Sequence, residues 1–125
     1  MSSDVSRVLS WREGDTEPID FQLLDRVDEA SPPRPTDLLI VASDVEVRFY
    51  APKSERRWAY TKVNHPNRVS IVDAAKAIVR FVPTAMEFST KEEPIFMRIV
   101  VVRNDGVRVS FPRDADVEIR VLEGY

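Results

Sequence analysis

The chain has 125 residues, 43% of them hydrophobic, which suits one domain with a modest core. Its formal net charge of −3, from 18 basic and 21 acidic residues, offers neither a general attraction to nucleic acid nor a polybasic membrane anchor. It has no cysteine, which excludes thiol nucleophiles, iron–sulfur clusters and cysteine-based zinc sites, so the fold must hold by its core or by assembly.

The opening MSSDVSRVLSWREGD lacks a long apolar run and does not read as a signal peptide. Glu13–Pro18 (EGDTEP) follows, with one of only three glycines. It lacks the Gly-Lys-Ser/Thr ending of a phosphate loop and the twelve-residue ligand spacing of a calcium loop. A weak carboxylate site for a cation is one reading. The favoured reading is a corner between strands, with Gly14 supplying an unusual backbone angle and the side chain of Asp15 or Thr16 bonding the turn.

Strand signals then dominate. Ile19, Phe21 and Leu23 alternate with polar residues, as do Val45, Val47 and Phe49. The same period of two recurs at Ala77–Phe81, Val107–Phe111 and Val117–Val121. Successive side chains on a strand face opposite ways, so this period marks half-buried strands. Trp58–Val63 fits with Trp58 and Tyr60 on one face. Pro94–Arg103 is apolar on both faces except at Arg98, as a central strand covered on each side would be.

Between strands, Asp25–Asp37 is charged and carries three prolines, which predicts a long surface loop. Asn104-Asp105-Gly106 predicts a hairpin turn, with Gly106 providing the positive φ. Thr84–Phe88 predicts a single helical turn with Thr84 as its cap. About eight short strands in one domain, with no long amphipathic helix, predict an all-β sandwich.

Chemistry-bearing residues are few. His65, the only histidine, lies in Asn-His-Pro-Asn and reads as a solvated loop residue. Ser70 and Ser89 have no recognisable catalytic setting. Asp114 with Asp116, and Glu92 with Glu93, are paired carboxylates in polar loops, where hydration is the expected state. Arg56-Arg57-Trp58 with Tyr60 and Lys62 mixes base and aromatic; an arginine stacked on Trp58 within a hairpin explains it without nucleic acid. The expectation is a non-enzyme with no cofactor and no metal.

The order of these marks resembles the small immunoglobulin-like β-sandwich domains of tailed-bacteriophage virions, above all the N-terminal domain of baseplate upper proteins. The resemblance rests on Gly14-Asp15-Thr16 before the Pro18–Leu23 strand, Pro35-Thr36-Asp37-Leu38 before Val45–Phe49, and Ile71–Phe81. It continues through Phe96–Arg103, Asp105-Gly106, Ser110-Phe111-Pro112 and Val117–Leu122. A glycine usual in such domains is replaced around Lys76 and Ala77. The resemblance implies an immunoglobulin-like antiparallel sandwich of about seven to eight strands. It implies a structural virion protein made in the host cytoplasm: a tail or baseplate adaptor that binds copies of itself and neighbouring tail proteins.

Residues 1–37 carry nine acidic and four basic residues and the remainder is slightly basic, an asymmetry compatible with contacts between copies. Arg57, Trp58, Tyr60, Phe96 and Arg98 form the expected interaction surface, and Gly14, Asp15, Thr16, Asp105 and Gly106 the expected turns. The alternatives are a capsid decoration protein, and a carbohydrate-binding module with Trp58, Tyr60 and Tyr50 as its aromatic platform.

Overall fold

The computed structural model describes residues 2–5, 9–26, 30, 32–112 and 116–124. Among the described residues, eleven strands form two sheets. They are β1 (Ser2–Val5), β2 (Leu9–Arg12), β3 (Ile19–Arg26), β4 (Arg34–Pro35), β5 (Ala42–Ala51) and β6 (Arg56–Thr61). The chain continues through β7 (Val69–Asp73), β8 (Ile78–Phe81), β9 (Ile95–Arg103), β10 (Arg108–Phe111) and β11 (Val117–Leu122). Single 3-10 turns lie at Leu38–Val41 and Thr90–Glu92.

One sheet has the order β1-β3-β8-β7, with β4 also on β3. The other has the order β2-β11-β9-β5-β6, with β10 also on β9. The fold is an immunoglobulin-like β-sandwich. In the usual lettering the first sheet is A-B-E-D and the second is A′-G-F-C-C′. Eleven strands replace the expected seven to eight because strand A is split into β1 and β2 and strand G into β10 and β11, with the two-residue β4 added. All pairs are antiparallel except β2 with β11, which run parallel from Leu9 opposite Ile119 to Arg12 opposite Leu122.

The core follows from alternation. Phe21 and Leu23 on β3, Val45, Val47 and Phe49 on β5, and Val79 and Phe81 on β8 are all buried. Ile95, Met97, Ile99 and Val101 of β9 complete the layer between the sheets. Antibody domains join strands B and F by a disulfide; here apolar packing alone links β3 and β9.

Three local expectations need correction. Asp25 and Arg26 extend β3, and Arg34–Pro35 pair back onto it, so the described part of the 25–37 segment is not a plain loop. Within it Thr36 is buried, with its N–H donating to the Leu23 carbonyl at 3.0 Å. Thr84 caps no helix. The Glu87 N–H donates to the Thr84 carbonyl (3.1 Å), and the Glu87 carboxylate in turn accepts from the Thr84 N–H (3.2 Å), closing an isolated turn. Ala77, expected within a strand, sits in the turn before β8 with φ +58, where the resemblance leads one to look for glycine.

Candidate functional site: the outer face of the six-stranded sheet

The EGDTEP corner joins β2 to β3. The Asp15 N–H donates to the Arg12 carbonyl at 3.0 Å, and Gly14, third in that turn, has φ +90, as the third residue of a type II turn requires. Among the described residues neither the Asp15 nor the Thr16 side chain bonds the turn. The working side chain is Glu13, whose carboxylate accepts from the Thr90 N–H at 3.1 Å. Hydrogen bonding by the Thr90 side chain and backbone holds its carboxyl below the ordinary value of 4.5. The other turn is a three-residue hairpin loop: Gly106 has φ +89, its N–H reaches the Arg103 carbonyl (2.9 Å), and Asp105 accepts from the Val107 N–H (3.1 Å).

The residues grouped above as one surface divide between two faces. Trp58 lies opposite Phe49 and Tyr60 opposite Val47, so both turn toward the core. Trp58 stacks on Phe49 with ring centroids 5.3 Å apart, and Tyr60 stacks on Phe81 at 5.7 Å. Both then donate to one oxygen of Glu87, from Trp58 Nε1 at 2.9 Å and from the Tyr60 hydroxyl at 2.8 Å. The other oxygen takes Arg68, whose guanidinium also lies 4.0 Å over the Tyr60 ring. Glu87 is 2% exposed, so this is a buried carboxylate with every oxygen occupied. Trp58 and Tyr60 are therefore half-buried against the core, although Trp58 also lines the outer groove. No periodic signal marks Glu87, because its partners come from β6, from Arg68 just before β7 and from Thr84 in its own turn.

Arg57, Phe96 and Arg98 do face outward. They share a groove of about 490 Å³ with Tyr50, Arg48 and Asp116. Arg57 lies 4.0 Å over the Tyr50 ring, and Arg98 pairs with Asp116 at 2.8 Å. Farther along, Glu46 joins Arg48 and Arg108 (3.4 Å), and Val100 between them is only 3% exposed. The second apolar face expected on β9 is thus partly roofed by the domain's own ion pairs, while Phe96 stays half-exposed. These pairs are exposed and contribute little to stability.

The remaining polar candidates serve as braces. His65 Nδ1 accepts from the Thr61 N–H at 3.2 Å and its ring meets Tyr60 edge-on. Glu92 accepts from Arg56 and from Ser54, both at 2.9 Å. Glu93 accepts from the Val121 N–H. Arg56 stacks on Trp58 at 3.9 Å. Asp114 lies outside the described residues. Among those residues no three histidine, aspartate or glutamate side chains gather as metal ligands, and no helix is long and apolar enough to cross a membrane.

No family model and no curated protein matches the sequence. Among solved structures, the chain is similar to the first immunoglobulin domain of the mouse polymeric immunoglobulin receptor. The two share 7% identity and a TM-score of 0.43, over 98% of this chain and 95% of that one.

Proposed function

We propose that this chain is a non-catalytic structural subunit of a tailed-phage virion, a tail or baseplate adaptor that docks a neighbouring protein on the outer face of its six-stranded sheet. The carrying observation is the groove where Tyr50 and Phe96 lie among Arg48, Arg57 and Arg98. Aromatic residues and arginine are the types enriched where protein interfaces concentrate their binding energy. They stand here on strands, which need no loop ordering before contact. The virion setting is supported by the ordered motifs from Gly14-Asp15-Thr16 to Val117–Leu122. The glycan-binding alternative is weakened because Trp58 and Tyr60 are half-buried against the core and tied to Glu87.

Antibody-labelled electron microscopy of virions carrying this protein tests the setting. Label at the tail or baseplate is the expected result. Label on the head assigns a decoration role instead, and virions without label overturn the reading. Arg98→Glu with Phe96→Ala tests the face: the folded double variant is expected to be lost from particles.

A further inference from the structure

The free edge of β6 points to a second binding surface, distinct from the outer face. β6 ends its sheet. The Lys62 N–H donates to the Val45 carbonyl at 2.9 Å, which fixes the alternation of the β5–β6 ladder. Arg56, Trp58 and Tyr60 therefore spend their backbone groups on β5, and Arg57, Ala59 and Thr61 turn theirs outward. Thr61 is occupied, because its N–H reaches His65 Nδ1 and its carbonyl accepts from the His65 N–H at 2.7 Å. Arg57 and Ala59 have no backbone partner among the described residues.

Natural sheets protect such edges by shortness, bulges, proline or charge directed along the edge. The edges β1 and β2 have four residues each, and β7 carries an irregularity between Ile71 and Asp73. β6 has six residues in unbroken register. Its two arginines do not guard it, since Arg56 folds onto Trp58 and Glu92 and Arg57 onto Tyr50.

We propose that β6 pairs antiparallel with β6 of a second copy about a two-fold axis at Trp58. In that register Arg57 lies opposite Ala59 of the second copy, and Ala59 opposite its Arg57. All four bare backbone groups of each edge are then satisfied by the other, in four hydrogen bonds. On the outer face a long cation meets a methyl rather than another cation. On the inner side Arg56 faces Tyr60 of the second copy. Two bare residues spaced i, i+2 complement a second copy fully only around the residue between them, which sets the register of the pairing. The pairing stands on this edge alone and holds whether or not the chain is a virion component.

The test is the mass of the full chain by sedimentation across concentration. The unaltered chain is expected to form a concentration-dependent dimer. Ala59→Lys, which sets a cation against Arg57 twice per dimer, is expected to weaken it about tenfold. Ala59→Glu, which sets an anion there, is expected to tighten it. Ala59 is exposed but lies opposite Arg48 of its own chain, so both variants are expected to stay folded by circular dichroism, and masses are compared only where each is folded. A single-chain mass up to about 1 mM overturns the proposal. So does a dimer that responds to both charges alike, or to neither.

Discussion

Glu87→Gln isolates the buried network that turns Trp58 and Tyr60 inward. In the parent, one carboxylate oxygen accepts from Trp58 and Tyr60 and the other from Arg68 and the Thr84 N–H. An amide has only one accepting oxygen. If that oxygen serves Arg68 and Thr84, the NH2 faces Trp58 and Tyr60; the tyrosine hydroxyl can turn to accept, but the indole N–H is left unpaired. The reverse orientation sets the NH2 against two donors and is worse. The better choice therefore leaves one buried donor orphaned, at about 1–3 kcal/mol. It also leaves Arg68, whose side chain is only 21% exposed, without its counter-charge. Breaking a buried pair in this way costs about 3–5 kcal/mol altogether, a large share of the roughly 5–15 kcal/mol that holds such a domain. Urea unfolding followed by tryptophan fluorescence and circular dichroism should show the midpoint falling by about 2 M. Arg68→Met gives the second arm of a double-mutant cycle. With both changes made, the loss should be smaller than the sum of the single losses by about 1–3 kcal/mol. A loss below about 1 kcal/mol for Glu87→Gln, or additive single losses, would refute the network as a source of stability.

Tyr60 has its hydroxyl held above its ordinary value of 10, first by burial and then by the hydrogen bond to Glu87. A raised acid contributes stability that is complete below pH 10 and is lost as pH climbs through the folded value. Urea midpoints from about pH 9 to about pH 11.5 should therefore fall, and Tyr60→Phe should flatten that fall from a lower starting point; an unchanged slope in the variant refutes the assignment. Glu13 has the opposite sign. Its lowered carboxyl contributes stability present above pH 4.5 and lost as pH falls through the folded value, so acid titration of Glu13→Gln should show a shallower loss than the parent. Gly14→Val should cost about 1–2 kcal/mol from the left-handed backbone angle. A Cβ at Gly14 meets nothing within 4 Å, so the cost is conformational and Gly14→Asn should recover most of it. An unaltered melting curve for the valine variant would show that the corner tolerates side chains freely.

Period-two patterning made β3, β5, β8, β10 and β11 legible, and the two-sided apolar run of Pro94–Arg103 made β9 legible as a central strand. The Asp105-Gly106 turn was legible for a related reason: positive φ selects glycine and a three-residue hairpin loop needs it. What escaped lies where the period is too short to register or the partners are remote. β4 has two residues and is defined by pairing with β3 alone. The division of Trp58 from Arg57 was implicit in the alternation of RRWAYT, but which parity faced inward depended on the pairing of Phe49 with Trp58. Glu87 sits in TAMEF with no pattern around it. A single glutamate becomes a buried hub only when β6, Arg68 just before β7 and its own turn converge. Glu92 and Glu93 escaped likewise, reading as hydrated loop residues although each bonds a distant segment.

The missing strand beside β6 connects the two proposed surfaces. Variable-type immunoglobulin sheets extend past C′ with a further strand, C″. Here Lys62–Arg68 carries the chain from β6 directly to β7, held by His65 on Thr61 and by Arg68 on Glu87. That shortcut exposes the edge at Arg57 and Ala59. It also opens the near side of the groove, since Arg57 rests on Tyr50 with no strand beyond it. The buried carboxylate makes the shortcut stable: Glu87 ties Trp58 and Tyr60 to Arg68, which is where the chain re-enters the opposite sheet. The least exposed charge among the described residues and the bare β6 edge are therefore parts of one arrangement. A change that loosens Glu87 should disturb the β6 edge before it disturbs β9, which supplies none of the Glu87 hydrogen bonds. Hydrogen exchange of Glu87→Gln should accordingly rise first at the Trp58 and Tyr60 amides, and a uniform rise across both sheets would break the link between core brace and edge.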